Sequence, residues 1–168
     1  MLNALKAELV RRGPSLLRIP LKLTPFALQR EVLTQVLTWQ FRQALEEGEL
    51  DFLEARWIRI DIKDLGVSWC MSVENDRPII RRDAKADVSF SGLANDLLLV
   101  SARRQDPDTL FFQRRLVIEG DTELGLYVKN LMDAIELDSM PRLLRQALER
   151  LADLVESTQP TDVTPHPA

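Results

Sequence analysis

The amino-acid sequence predicts an α+β domain with a mainly antiparallel sheet of about five strands and helices before and after it. In residues 58–91, apolar and polar residues alternate, which is typical of strands with one apolar face. In residues 26–47 and 124–155, apolar residues instead recur every three or four positions, which is typical of helices. The 168 residues are enough for one domain with its own core.

Residues 1–23 form a basic amphipathic N-terminal segment with five basic residues against one acid, although the whole chain has a net charge of −4. Leu2, Leu5 and Leu9 predict a short helix, and Gly13-Pro14 predicts its end. Pro20 argues against a second long helix in the remainder of the segment.

An apolar face with basic flanks is what an interfacial segment needs, so this segment is expected to touch a membrane surface. The expected contact residues are Leu5, Leu9, Arg11, Arg12, Arg18 and Lys22. The alternative, that the leucines pack on the domain while the charges stay in water, remains open at this point.

Thr24-Pro25 predicts the start of the next helix, with Thr24 as its cap and Pro25 at its first position. Residues 26–47 contain neither Gly nor Pro and repeat apolar residues at helical spacing. They therefore predict one long helix with a broad buried stripe, ended by Gly48.

Five segments are predicted to form strands, at residues 58–63, 67–74, 78–82, 86–91 and 116–121. Asp64-Leu65-Gly66 predicts a hairpin connection between the first two, because glycine adopts a positive φ without strain. The alternation in these two strands predicts antiparallel pairing with one face wet.

Helices are predicted at residues 93–103, packed on the sheet, and again after Asp121 and after Pro141. Asp121 is expected to cap a helix whose buried face carries Leu124, Val128, Leu131 and Ile135. The buried face of the last helix is expected to carry Leu144, Leu148, Leu151 and Val155. Residues 105–115 start with a Pro-containing turn, and residues 157–168 have the composition of a disordered tail.

The content of reactive residues argues against an enzyme. The single histidine, His166, lies in the Pro/Thr tail, and Cys70 is the only cysteine, so no Ser-His-Asp, Cys-His or zinc site is expected. Asp121 with Glu119 and Glu123 is better explained as a helix cap with acids in the first turn than as an acid–base pair. No catalytic residue, metal or cofactor is therefore predicted, and the acidic net charge disfavours nucleic acid as a partner.

Apolar side chains are more abundant in the C-terminal half than a small sheet obviously needs, which favours an internal cavity for an apolar ligand. The residues expected to line it are Val36, Phe90, Leu97, Leu110, Phe111, Leu116, Leu124, Val128, Leu131 and Met132. This choice rests on periodicity alone, and close packing of the same residues in an ordinary core is the alternative.

Two runs, ADVSFS at 86–91 and LVIEGDTELGLYVKNLMD at 116–133, resemble the sterol-carrier-protein type 2 (SCP2) domain family over roughly residues 30–150. The resemblance implies a twisted sheet covered by helices that enclose a hydrophobic tunnel for a lipid, with residues 24–156 as the lipid-binding domain. Residues 13–54 and 105–137 are further similar to a family of accessory factors in bacterial, oxygen-independent ubiquinone biosynthesis.

This second resemblance implies a lipid-binding protein that presents a prenylated quinone intermediate, or a phospholipid, to modifying enzymes. It also implies U32-peptidase-like iron–sulfur hydroxylation proteins as partners. The single cysteine excludes an intramolecular disulfide and so favours the cytoplasm, and the basic N-terminal segment predicts transient contact with the inner face of the membrane. Two alternatives stay open. One is a structural adaptor that binds no lipid, and the other is a carboxylate-dependent enzyme that acts on a quinone ring.

Overall fold

The computed structural model describes residues 1–133 and 137–158. The strands in these ranges are Ile58–Ile62 (β1), Val67–Glu74 (β2), Arg77–Arg81 (β3), Val88–Gly92 (β4) and Val117–Gly120 (β5). The helices in the same ranges are Leu2–Leu23 (α1), Phe26–Gln40 (α2), Arg42–Glu46 (α3), Ala94–Ser101 (α4), Pro107–Phe112 (α5), Thr122–Asp133 (α6) and Arg142–Thr158 (α7). Short 3₁₀ turns lie at Asp51–Leu53 and Leu137–Ser139.

The five strands form one sheet in the order β3-β2-β1-β4-β5, which confirms the predicted α+β class and the mainly antiparallel sheet. Only β1 and β4, which are joined by a long crossover, pair in parallel among these neighbours. The hairpin between β1 and β2 is as predicted, and Gly66 has a φ of 62°. Asn75 and Asp76 also have positive φ and form the turn between β2 and β3.

Helix α1 is continuous over 22 residues, so the prediction that it ends at Gly13-Pro14 is wrong. Proline has no N–H, so Pro14 leaves the carbonyl of Val10 without its helical partner. The side-chain amide of Asn95, in α4, donates to that carbonyl at 3.3 Å instead. Pro14 itself is buried, and α1 packs on α4 and α7. Tertiary contacts therefore stabilise a helix that local propensity alone would break.

Replacement of Asn95 by Ala is expected to loosen α1, because the Val10 carbonyl then loses its partner. We expect a loss of about 1 kcal/mol in the free energy of unfolding. Relative to the wild type, hydrogen exchange should become faster at the α1 amides, and this increase should be larger than any at the amides of the sheet. The same change at Asn130, an exposed residue of α6, is the control and should leave the exchange of α1 unchanged.

The helix predicted over residues 26–47 is divided at Phe41 into α2 and α3. Its stripe is also less buried than expected, since α2 has no buried residue and only Leu45 is buried in α3. Thr24 does not cap α2. Its hydroxyl donates to the carbonyl of Pro20 at 2.8 Å and so closes α1, while Pro25 occupies the N-cap position of α2. Gly48 follows α3 with a φ of 73°, as predicted for the residue that ends a helix.

The remaining helices follow the prediction more closely. α4 has one side in the main core through Leu97 and Val100 and another in a smaller cluster through Leu99 and Ala102, which pack against α7. Residues 107–112, predicted as part of a turn region, form α5 because Pro107 suits the first helical position. Leu151 of α7 is half exposed, and Ala152 takes the buried place instead.

Asp121 caps α6 as predicted, since its Oδ1 accepts from the backbone N–H of Leu124 at 3.0 Å.

Ser157 and Thr158, predicted to be disordered, are the last residues of α7. Ile135, His166 and the rest of the predicted tail from 159 onward lie outside the described residues, as does the side chain of Arg18. In the part of the chain that the structure describes, no helix is both long enough and apolar enough to cross a bilayer.

An ion pair between Asp96 in α4 and Arg115 joins α4 to the segment that leads into β5. Asp96 is buried, whereas the Arg115 side chain is about one-third exposed. The change Arg115→Ala leaves the carboxylate of Asp96 without its cation, so a loss of about 2 kcal/mol in unfolding free energy is expected. Arg42→Ala, which removes an exposed pair with Glu46, should cost less than about 0.5 kcal/mol in the same urea titration.

Candidate functional site

One face of the sheet carries large apolar side chains from all of its central strands. The register places Ile58, Ile60 and Ile62 of β1 beside Met71, Trp69 and Val67 of β2 on the same face. Val88 and Phe90 of β4 continue this face, and Ile118 of β5 lies opposite Phe90. Ile58, Val88 and Phe90 belong to the main hydrophobic core, which they form together with apolar side chains of the helices.

Some residues of this apolar face are buried and others are only partly covered. Ile58, Val73, Val88 and Phe90 are buried, as expected for a closed core. Five apolar residues of the same face remain partly accessible, namely Ile60, Ile62, Val67 and Trp69 toward the hairpin and Met71 opposite Ile58. We call these five residues the open floor. A partly covered apolar surface of this kind is a candidate contact surface for an apolar chain.

Helix α2 has no fully buried side chain. It packs on the edge strand β3, and the ring of Phe26 at its start lies under the guanidinium of Arg82, 4.9 Å away. Its inward residues Leu33, Val36 and Leu37 are all partly accessible. Because none of its side chains is fully buried, α2 is expected to open more readily than the core, and we call it the weakly sealed cover.

Eight of the ten predicted cavity residues come together in the main core. Phe90, Leu110, Leu116, Leu124 and Val128 are buried there, and Leu97, Leu131 and Met132 pack against them while partly exposed. The other two lie elsewhere. Val36 is on the inward side of α2, and Phe111 is 43% exposed beside Phe112, with ring centroids 5.7 Å apart.

None of the open-floor residues was among the predicted cavity residues, although the alternation in residues 58–74 indicated that they share one face of the sheet. Alternation reports which side chains share a face but not which end of that face the helices cover. Phe41, on the predicted helix stripe, does pack on the core, whereas Phe52 and Leu53 also border the core without having been predicted. Their segment follows a helix and has no period of its own, so no sequence signal pointed to them.

Two chemically reactive groups near this core, Asp121 and Cys70, have structural partners. Asp121 caps α6 and also lies 3.4 Å from the guanidinium of Arg56. Cys70 is fully buried, with its sulfur near the carbonyls of Arg82 and Ala84. Within the described ranges, no group of three or more His, Cys, Asp and Glu residues could hold a metal ion.

One titrating group ties α5 to α6 beside the core. The ammonium of Lys129 donates to Asp108 at 2.5 Å. This hydrogen bond is the main cause that raises the pKa of Lys129 above its ordinary value, with the charges of Asp108, Asp133 and Asp106 adding to it against the opposing effect of burial. Lys129 therefore stays charged at neutral pH and fixes the segment that carries Leu110.

A separate hollow lies between α4 and α5, lined mainly by Arg103, Arg104, Gln105 and Asp106. Arg104 is held there by Asp153 and Glu156 of α7, at 2.9 and 3.0 Å. Because its lining is polar, this hollow does not suit an apolar chain, and the open floor remains the better candidate site.

Comparison with known proteins places this arrangement in a family. Residues 35–133 match the model of the SCP-2 sterol transfer family, and this range contains all five strands and the helices α3 to α6 in full. The chain belongs to the SCP-2 sterol transfer family. The resemblance to the SCP2 domain is thereby confirmed.

The chain is also similar to the "Ubiquinone biosynthesis accessory factor UbiT" of Escherichia coli strain K12 and of Escherichia coli O157:H7. It is 63% identical to each over 161 residues, which are 96% of this chain and 92% of the relative. Among solved structures, it is similar to the "UbiJ-SCP2 Ubiquinone synthesis protein", with a TM-score of 0.55 and 20% identity over 67% of this chain and all of the other. The structural match supports the fold, and the sequence matches confirm the finer resemblance.

Proposed function

We propose that this protein is a lipid-binding accessory factor of ubiquinone biosynthesis. Its cargo is a molecule with a long apolar chain, either a prenylated quinone intermediate or a phospholipid, which it presents to the enzymes that modify the quinone ring. The observation that carries the proposal is the open floor within a domain of the SCP-2 sterol transfer family. The role in ubiquinone biosynthesis follows the name of the relatives at 63% identity.

The chemistry of the open floor suits such a cargo. An isoprenoid or acyl chain is held by burial of its methylene and methyl groups, each contributing about 0.8 kcal/mol. Such a chain needs no charged partner, and Ile, Val, Trp and Met supply the apolar surface. Met71 adds a flexible side chain that adapts to chains of different shape.

The partners in this proposal are U32-peptidase-like iron–sulfur proteins that hydroxylate the ring. A carrier keeps the insoluble tail covered while the ring is handed to a hydroxylating enzyme. The protein itself supplies no catalytic group in this scheme. It works in the cytoplasm and visits the inner face of the membrane to collect and return its cargo.

Native mass spectrometry of the protein purified without detergent tests the proposal. The expected result is a bound species whose mass matches a polyprenyl phenol, a polyprenyl quinone or a phospholipid. After delipidation, the protein should take up a polyprenyl phenol supplied from cyclodextrin. A protein that carries no lipid and takes up none, while it still binds purified U32-type partners, would instead be a structural adaptor.

The enzyme alternative makes a different prediction. If the acids around Asp121 acted on a quinone ring, Asp121→Asn would abolish turnover while cargo uptake stayed normal. Under the carrier proposal, the same variant only weakens the cap of α6, and ring hydroxylation in the reconstituted system should follow the amount of folded protein.

A further inference from the structure

Helix α1 carries a stripe of large apolar side chains on the side that faces away from the domain. Leu2, Leu5, Leu9, Leu16, Ile19 and Leu23 are each more than half exposed. Their spacings of three, four and seven residues place them along one side of the helix. Six large exposed side chains on one helix exceed the scattered single residues that ordinary surfaces carry, so the stripe indicates a contact surface.

The domain does not need this stripe to hold α1 in place. Val10 and Pro14 face the body instead, and Val10 packs in the small cluster with Leu99, Ala152 and Val155. The amide of Asn95 also holds the carbonyl of Val10. α1 is therefore fixed by one side while the opposite side stays free for a partner.

Helix α2, which follows α1, carries exposed apolar side chains of its own. Leu28, Val32 and Trp39 are each half exposed or more. The side-chain amide of Gln29 donates to the carbonyls of Leu21 and Thr24, at 2.9 and 3.1 Å, and so fixes the corner between the two helices. We call the six stripe residues of α1 and these three residues of α2 the docking surface.

Charge separates this part of the chain from the rest. Residues 1–40 contain six basic and two acidic residues, a net charge of +4, whereas the remaining residues have a net charge of −8. One of the two acids, Glu8, is paired with Arg11 at 2.7 Å and with Arg12. The hydrogen bond from Arg11, followed by the charges of Arg11 and Arg12, lowers the pKa of Glu8, which therefore stays ionised at neutral pH.

We propose that the docking surface binds an anionic lipid bilayer, with α1 lying in the plane of the interface while it stays packed on α4 and α7. Basic residues beside an apolar stripe complement both the charge and the apolar interior of such a bilayer. Trp39 is the residue type that favours the level of the lipid head groups. Because the surface spans two helices, it is broader than the seam that a single partner helix needs.

A second copy of the chain fits this surface less well, because two faces of the same positive charge repel each other. Docking on the bilayer also brings α2, the weakly sealed cover, next to the lipids. The inference deepens the proposed function, on which it rests for its purpose, because it names the surface through which cargo enters and leaves.

Flotation with vesicles of phosphatidylcholine, with and without phosphatidylglycerol, tests the proposal. The wild-type protein should float with the anionic vesicles, and added salt should weaken this binding. The double variant Leu9→Ser/Leu16→Ser should bind at least about tenfold more weakly, because two leucines no longer enter the bilayer. The matched control Phe112→Ser/Leu143→Ser changes two apolar residues that are more exposed than Leu9 and Leu16 but lie outside the docking surface, and it should bind like the wild type.

A second variant is expected to bind more tightly than the wild type. Glu8→Gln removes the acid that holds Arg11 and Arg12, so the docking surface gains one net positive charge. About 1 kcal/mol for each charge near an anionic leaflet corresponds to roughly fivefold tighter binding. This gain should vanish on vesicles of pure phosphatidylcholine, and it cannot result from a damaged fold.

Equal binding of the wild type and the double variant would overturn the proposal, and so would binding that ignores both salt and lipid charge. Failure of the wild type to float, with the same stripe instead required to bind a purified protein partner, would also overturn it. Uptake of a polyprenyl phenol without vesicles keeps this test separate from the proposed function. The double variant should still take up the phenol, whereas a failure of the carrier function would abolish uptake in every variant.

Discussion

Replacement of Gly120 by Ala is expected to lower the free energy of unfolding by about 3 kcal/mol, the largest stability effect that we predict for a single methyl group in this chain. Gly120 ends β5 with a φ of +107°, a conformation that residues with a Cβ rarely adopt. An added Cβ would also clash with the carbonyl oxygen of Asp87 and lie 3.1 Å from the Cα of Val88. Both neighbours are backbone atoms, so they cannot move aside as a flexible side chain would.

The backbone around Gly120 is fixed from several sides. The amide of Asp121 donates to the carbonyl of Asp87 at 2.8 Å, and the Asp87 carboxylate accepts from the amide of Trp57 at 2.7 Å. Gly13→Ala is the matched control, because a Cβ there meets nothing within 4 Å and the residue lies inside α1. It should stabilise the protein by about 0.5–1 kcal/mol. Urea unfolding measures the free energy of unfolding of both variants. A Gly120→Ala protein as stable as the wild type would contradict the prediction.

Gly120 also illustrates what the sequence could predict. Strand alternation, the Gly66 hairpin and the Gly-Asp turn into α6 depend on neighbouring residues, and all three are confirmed. The uninterrupted course of α1 depends instead on Asn95, which lies 85 positions from the Val10 carbonyl that it satisfies. No local pattern contains that contact, so the two prolines wrongly predicted an early end of the helix.

The parallel pairing of β1 with β4 could not be predicted for the same reason. Each strand has an apolar face, but the choice of neighbour depends on how the whole chain packs. The break at Phe41 is similar, because the periodicity of residues 26–47 continues through it while the backbone does not.

Part of the core beside the candidate site was predicted. Helical spacing identified Leu124, Val128 and Leu131, because a helix that lies on a sheet buries one regular face. Phe111 was assigned to the same interior, but α5 is a short helix, and its exposed side carries this ring. The open floor depends on how far the helices extend over the sheet, and this property belongs to tertiary packing rather than to any single segment.

The variant Ile60→Asn is expected to lower the affinity for a fluorescent long-chain fatty acid by at least about tenfold. Ile60 lies at the centre of the open floor, opposite Trp69 and beside Phe90. An apolar chain that settles on the asparagine would strip water from its amide without offering a hydrogen bond, which costs about 1–3 kcal/mol. Because Ile60 is partly accessible in the protein without cargo, the amide can stay hydrated there, and the fold should lose less stability than the complex does.

Arg59→Asn is the control for this variant, because it introduces the same side chain one position earlier on β1. Arg59 points to the other face of the sheet, where its guanidinium lies 3.3 Å from the hydroxyl of Ser68. Its replacement should leave fatty-acid binding within about twofold of the wild type, because exposed polar changes have small effects. Circular dichroism verifies that both variants are folded before the titrations are compared. If folded Ile60→Asn binds the fatty acid as tightly as Arg59→Asn does, the cargo does not lie on the open floor, and the buried core around Leu110 and Leu124 becomes the place to search for it.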